Sequence, residues 1–186
     1  MDQLLEEGKI RYVGLSNFQN CLVQEAMEHL HNGEIIVNEL EYNLINRDIE
    51  NEMLPYLREK KIAVLGYYPL LSGYLTAKYD ENSTFPENDF RIHDPIIQNN
   101  ENFKQTQKLF QLMNEIAKNH EISPSEVAIN WILKQKDITP IPGAKKIQHV
   151  KSNIHSMQWK LIKDEYNQLT KATDNIELND FKESLY

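Results

Sequence analysis

Gly8-Lys9-Ile10-Arg11-Tyr12-Val13-Gly14-Leu15-Ser16-Asn17-Phe18 is a short apolar run that stops on two polar residues. Ile10, Tyr12, Val13 and Leu15 suit a pleated, buried strand. Ser16 and Asn17 then offer donors and acceptors at its carboxyl end, where parallel α/β folds place their ligands. Asn17 also suits the N-cap of a following helix. Taken alone, the pair reads equally well as a turn and a cap.

Upstream, residues 1–7 read as the end of a helix closed by Gly8. A helix end feeding a buried strand creates the expectation of further chain before it. Downstream, Leu22, Val23, Ala26, Met27 and Leu30 predict a helix over 21–31, ended by Asn32-Gly33. Ile35-Ile36-Val37 opens a second strand that reaches Tyr42. A helix over 49–60 turns Leu54 and Leu57 inward. Residues 62–67 form a third strand, whose unbroken apolar character predicts a parallel sheet covered on both faces. An irregular segment follows to about residue 100, long enough to serve as a lid.

Leu109, Leu112, Met113 and Ile116 share one face of a helix over 102–119. Ser123-Pro124-Ser125-Glu126 is a helix start, with the cap at Ser123, proline at the first position and Glu126 three residues on. Residues 138–143 form a last strand, and the spacing of Val150, Ile154 and the run 161–169 predicts two closing helices. Strands alternating with helices imply parallel βα units. There are roughly four strands, half of the eight-stranded barrel. The expected fold is therefore α/β: the C-terminal half of a (β/α)8 TIM barrel over residues 1–173, with covering helices, followed by a polar tail over 174–186.

Composition narrows the function classes. The 186 residues carry a net charge of −8, and Lys145-Lys146 is too short to form a phosphate-neutralising stripe, which argues against nucleic acid. One cysteine, Cys21, excludes an internal disulfide and fits a reducing, cytoplasmic setting. No apolar run reaches membrane-spanning length. Cys21 is expected to be a buried helix residue. His29 and His31 fall on different helix faces, so no metal site is expected. Glu39 and Glu41 share strand parity, but without a facing carboxylate they do not indicate glycoside chemistry.

Four strand ends collect polar or aromatic groups: Ser16-Asn17, Glu39, Tyr67 with its loop, and Gly143-Ala144-Lys145. Parallel strands would bring all four to one face. The sequence here resembles the aldo-keto reductases. Gly-Lys-Ile-Arg-x-x-Gly-x-Ser-Asn-Phe, Glu41-Tyr42-Asn43-Leu44, Tyr67-Tyr68-Pro69-Leu70 with Ser72-Gly73-Tyr74-Leu75-Thr76, and Ile141-Pro142-Gly143-Ala144-Lys145 with Asn153 are similar to successive landmarks of that family. The similarity runs to about Lys171 and is strongest to the branch of bacterial enzymes and potassium-channel β subunits.

The resemblance implies an NADP(H) site. Ser16 and Asn17 would bond the nicotinamide carboxamide, and Tyr67 would stack on the ring. Pro69, Leu70 and Ser72 would line the pyrophosphate, with Lys78 and Arg91 as cationic partners. Gly143 and Lys145 would approach the 2′-phosphate, and Asn153 the adenine. Alone, Tyr67 reads as a core aromatic, Lys145 as a solvated charge and Asn153 as a surface amide; their joint spacing favours the functional reading.

Departures from the family pattern also stand out. Glu39 replaces a usual glutamine; a carboxylate accepts but cannot donate, and it would favour the cationic oxidised ring. Tyr68 replaces a usual serine. His149 and Ser152 stand where the family often has arginine or glutamine, and glutamate, so adenosine recognition is expected to be weaker. The family's catalytic Asp, Tyr, Lys and His come from the first half of the barrel, and no residue here matches them, so no catalytic residue is assigned. The chain is thus expected to be the cofactor-binding half of a carbonyl reductase, active on aldehydes or ketones only when complemented by a separately encoded first half or a second copy. Two other readings are a non-catalytic NADP(H)-binding regulatory module and an inert product of a truncated frame.

Overall fold

The computed structural model describes residues 1–178. The end of the polar tail expected at 174–186 lies outside them. A short helix α1 (Asp2–Glu6) gives way at Gly8, whose φ of +65° lets the Lys9 amide turn back onto the Leu4 carbonyl at 2.9 Å. Strand β1 (Val13–Ser16) follows, then α2 (Asn20–His29) and β2 (Ile35–Glu41). The expected helix over 49–60 splits into a 3₁₀ turn, Asp48–Glu50, and α3 (Met53–Glu59), with Leu54 and Leu57 buried as expected. After β3 (Ala63–Tyr67) come two 3₁₀ segments, Leu71–Thr76 and Phe90–Ile92, and a single helical turn α4 (Pro95–Gln98). The chain then builds α5 (Asn100–Asn119), α6 (Pro124–Leu133), β4 (Ile138–Pro140), α7 (Ile147–His155) and α8 (Lys163–Thr173).

The four strands form one sheet in the order β1-β2-β3-β4, and every neighbouring pair is parallel. Register sorts their side chains by face. Leu15, Asn38, Val64 and Ile138 align in one row, and Asn38, Val64 and Ile138 are buried under the helices. The opposite face carries Gly14, Val37 and Ala63, then Ser16, Glu39, Leu65 and Thr139, then Glu41 and Tyr67. Gly14, Ala63, Ser16 and Thr139 there are exposed. The expectation of a sheet covered on both faces is thus corrected: the described residues place helices on one face only. A side chain at position 14 would meet Val37 Cγ1 at 2.7 Å, which accounts for the glycine.

Other expectations also change. Tyr12 is exposed, because the chain from Gly8 to Tyr12 turns back toward α1 and β1 pairs only from Val13 onward. Asn17 is not a helix cap: it takes φ +57°, and Gln19 precedes α2 without a side-chain bond. Cys21 is exposed rather than buried, because α2 packs inward through Val23, Ala26 and Leu30 and leaves its other flank open. Val150 and Ile154 are likewise exposed, and α7 buries no residue.

The core holds the loops that follow the strands. Trp131 on α6 stacks on Tyr42 and Tyr166, and its indole N–H donates to Thr170 at 2.9 Å. Leu71, Tyr74 and Leu75 are buried and anchor the first 3₁₀ segment in the core, where Tyr74 packs on Phe103 and Phe110 of α5 and its hydroxyl meets Thr106 at 2.9 Å. Burying each of these side chains contributes roughly 1.5–3 kcal/mol. The Ser123–Glu126 capping box forms as expected: the Ser123 amide donates to Glu126 at 2.8 Å and the Glu126 amide donates to the Ser123 hydroxyl.

Candidate functional site

The carboxyl ends of β1, β2 and β3 converge on the open face of the sheet. The Asn17 amide donates to the Glu39 carbonyl at 2.9 Å, which sets the first loop against β2. Asn17 takes a left-handed backbone there, and its side-chain amide lies close enough to the Tyr67 phenol to favour its ionised form in part. Glu41 is register partner to Tyr67. Burial first, then the Glu41 carboxylate, push the Tyr67 phenol above its ordinary value. Ser16, Asn17, Glu39 and Tyr67 therefore stand together.

Tyr67 meets Tyr68 edge to face, with ring centres 6.0 Å apart. The Tyr68 hydroxyl accepts from Ser72 at 3.3 Å, so the tyrosine that replaces a usual serine still touches the next loop. That loop is tightly wound. Tyr68, Leu71, Ser72 and Ala77 all have positive φ, as does Gly73 at +92°. The Leu71 and Gly73 amides are used within it, donating to the Tyr68 and Leu70 carbonyls. Pro69 is buried and has no N–H, so it can shape a pyrophosphate cradle but cannot donate to it.

Arg91 stands beside Gly73. Arg91 pairs through its planar fork with Asp89, bonds the Tyr79 hydroxyl, and lies over the rings of Tyr79, Phe85 and Phe90. The Arg91 bond chiefly, then the Arg91 amide, pull the Asp89 carboxyl down to about 2. Lys78 lies over Tyr79 at 4.8 Å, and Lys145 over Phe90 at 5.8 Å. Arg91 lies beside Gly73, the neighbour of Ser72, so the Tyr67–Tyr68–Ser72 cluster and this cation flank the same loop.

The remaining predicted residues stand apart. Gly143 is exposed with open space around it. His149 is exposed on the first turn of α7. Ser152 faces the Ser123 hydroxyl at 3.5 Å, and Asn153 lines an apolar groove with Pro142, Val150 and Ile154.

Three residues to which the sequence reading gave no role in the site hold it together. Asn38 is fully buried and donates to the Phe18 carbonyl at 2.8 Å, which fixes the loop carrying Asn17. Asn43, also fully buried, donates to Glu41 and to the Tyr68 carbonyl, and accepts from the Ile45 and Asn46 amides. Glu41 is the third: burial pushes its carboxyl above the ordinary range, and one of its oxygens is buried with no hydrogen-bond partner. A polar residue inside an apolar strand was the available signal for Asn38.

Comparison with known proteins adds the family. The model of the aldo/keto reductase family matches residues 1–174. The chain belongs to that family. It is 31% identical over 173 residues to a probable aldo-keto reductase 1 of Glycine max, covering 92% of this chain and 49% of that one. It is also 31% identical over 182 residues to an aldo-keto reductase of Schizosaccharomyces pombe whose name specifies NADP(+), covering 96% of this chain and 52% of that one. The chain spans about half the length of these curated relatives. Among solved structures of the family, a glycerol dehydrogenase from Gluconobacter oxydans superimposes with a TM-score of 0.82 and 28% identity, over 96% of this chain and 53% of its own. A Klebsiella pneumoniae aldo-keto reductase shares the fold, with a TM-score of 0.67 and 24% identity, over 96% of this chain and 56% of its own. Among the described residues, no helix is long and apolar enough to cross a membrane.

Proposed function

We propose that these residues form the NADP(H)-binding half of an aldo-keto reductase, one side of a (β/α)8 barrel that another polypeptide segment completes. The juxtaposition of Asn17, Glu39 and Tyr67 at the carboxyl ends of parallel strands carries this reading. The residues fit the group. Ser16 and Asn17 would hold the carboxamide, and Glu39 would accept from its NH₂. Tyr67 would lie against the ring. Ser72, Arg91, Lys78 and Lys145 would face the phosphates, and the cations gathered by Tyr79, Phe85 and Phe90 give those anions a counter-charge. Gly143, His149, Ser152 and Asn153 would flank the adenosine. When bound, the reduced nicotinamide supplies the hydride that turns an aldehyde or ketone into an alcohol.

The chain's own residues then orient that ring, but the nascent alkoxide also needs a proton and a charge-stabilising site. None of these 186 residues matches the family's proton donor, so that role falls to residues beyond them. The exposed sheet face and the edges of β1 and β4, which pair with no further strand among the described residues, support a complementing polypeptide. The setting we favour is the cytoplasm, in keeping with the single cysteine.

The test is complementation. The chain is mixed with a polypeptide carrying the first half of an aldo-keto reductase barrel, and NADPH consumption is followed with an aldehyde. Turnover that needs both components and falls with Tyr67→Ala supports the reading. NADPH binding with no turnover across several such partners would leave a non-catalytic cofactor-binding module instead.

A further inference from the structure

We infer that Glu41 makes the site's choice between oxidised and reduced cofactor depend on pH, its carboxyl releasing a proton to solvent when a cationic aromatic ring lies against Tyr67. The inference rests on the cofactor reading above.

The geometry is unusual for a carboxylate. Glu41 is 7% exposed at the end of β2. One oxygen accepts from the Asn43 amide group at 3.3 Å, and the other is buried without a partner. Among the described residues, none of the groups that shift its carboxyl is a cation. Glu39 precedes it by two residues on the same face of its own strand; Tyr67 is its register partner on β3; the loop after β2 brings the amides of Asn43 and Asn46 and the carboxylate of Asp48. An unpaired buried carboxylate is costly, and holding a proton removes most of that cost. Burial, with Asp48 adding to it, accordingly pushes this carboxyl upward. The missing element is a cation on the Tyr67 side. NADP⁺ and NADPH differ there by one unit of charge on the ring. They share the 2′-phosphate, so its titration cancels when the two are compared. Only the oxidised form supplies a counter-charge that makes the ionised Glu41 affordable in this setting.

Isothermal titration of the full chain with NADP⁺ and with NADPH, each in two buffers of unlike ionisation enthalpy at pH 5.5, 6.5 and 7.5, reads proton release directly. The expected result is release with NADP⁺ and not with NADPH. The NADP⁺:NADPH affinity ratio then rises with pH, by at most about tenfold per pH unit. Glu41→Gln flattens that slope. Equal proton counts for the two cofactors, or an unchanged slope in Glu41→Gln, would overturn the inference while leaving the cofactor site intact. Binding of neither cofactor would overturn both. The wild-type comparison decides the matter even if the variant fails to fold.

Discussion

A single carboxyl, Glu41, shows how a residue can work against the fold that holds it. Its proton affinity is raised by burial, so the folded chain binds this proton more tightly than the unfolded chain does. Stability from that difference is full at low pH, below the carboxyl's unfolded value, and is lost as pH rises through the raised folded value. Glu41→Gln should therefore raise the melting temperature relative to wild type at pH 8 and change it little at pH 4. Thermal melts at the two pH values check this. Glu39 differs in being only partly buried, and in the proposed reading it accepts from the carboxamide beside the ring. Glu39→Gln should shift relative affinity toward NADPH, measured as the ratio of dissociation constants; an unchanged ratio would remove the electrostatic role given to it. The strand ends at Ser16 and Tyr67 were legible because a polar or aromatic residue there closes an apolar run. Glu41 was not: its character comes from Asn43, Asp48 and Tyr67, and its missing partner exists only once β2 and β3 are in register.

At the scale of elements, the chain between Ala77 and Ile92 depends on one guanidinium. Arg91 is held by Asp89 and by three rings, and it stands beside Gly73. Arg91→Ala should speed proteolytic cutting between residues 77 and 91 and weaken NADPH binding about tenfold, whereas Arg91→Lys should rescue charge but not the planar fork. The helix start at Ser123 was fully legible, because capping chemistry is local to four residues. Ser123→Ala should cost about 1 kcal/mol in urea unfolding. The same locality misled at Asn17. A cap-forming residue type precedes a helix there, but tertiary demand from Glu39 and Tyr67 holds it in a left-handed conformation instead.

At the scale of the molecule, strand order and parallel direction followed from the alternation of strands and helices. What composition could not show is that one sheet face is open. An apolar strand such as Ala63–Tyr67 has the same sequence whether its second face meets helices or the far wall of a barrel. Exposed Leu22, Met27, Ile147, Val150 and Ile154 add apolar surface on α2 and α7. Together with the free edges they predict association, which sedimentation equilibrium would register as a mass above the 21.9 kDa of one copy. The most direct test of the whole account is an NADPH titration of the purified chain, followed by nicotinamide fluorescence, beside the same titration of Tyr67→Ala. Saturable binding that weakens about tenfold or more in the variant is the predicted result. A folded chain that binds no NADPH, or that binds it equally well without the Tyr67 ring, would contradict it.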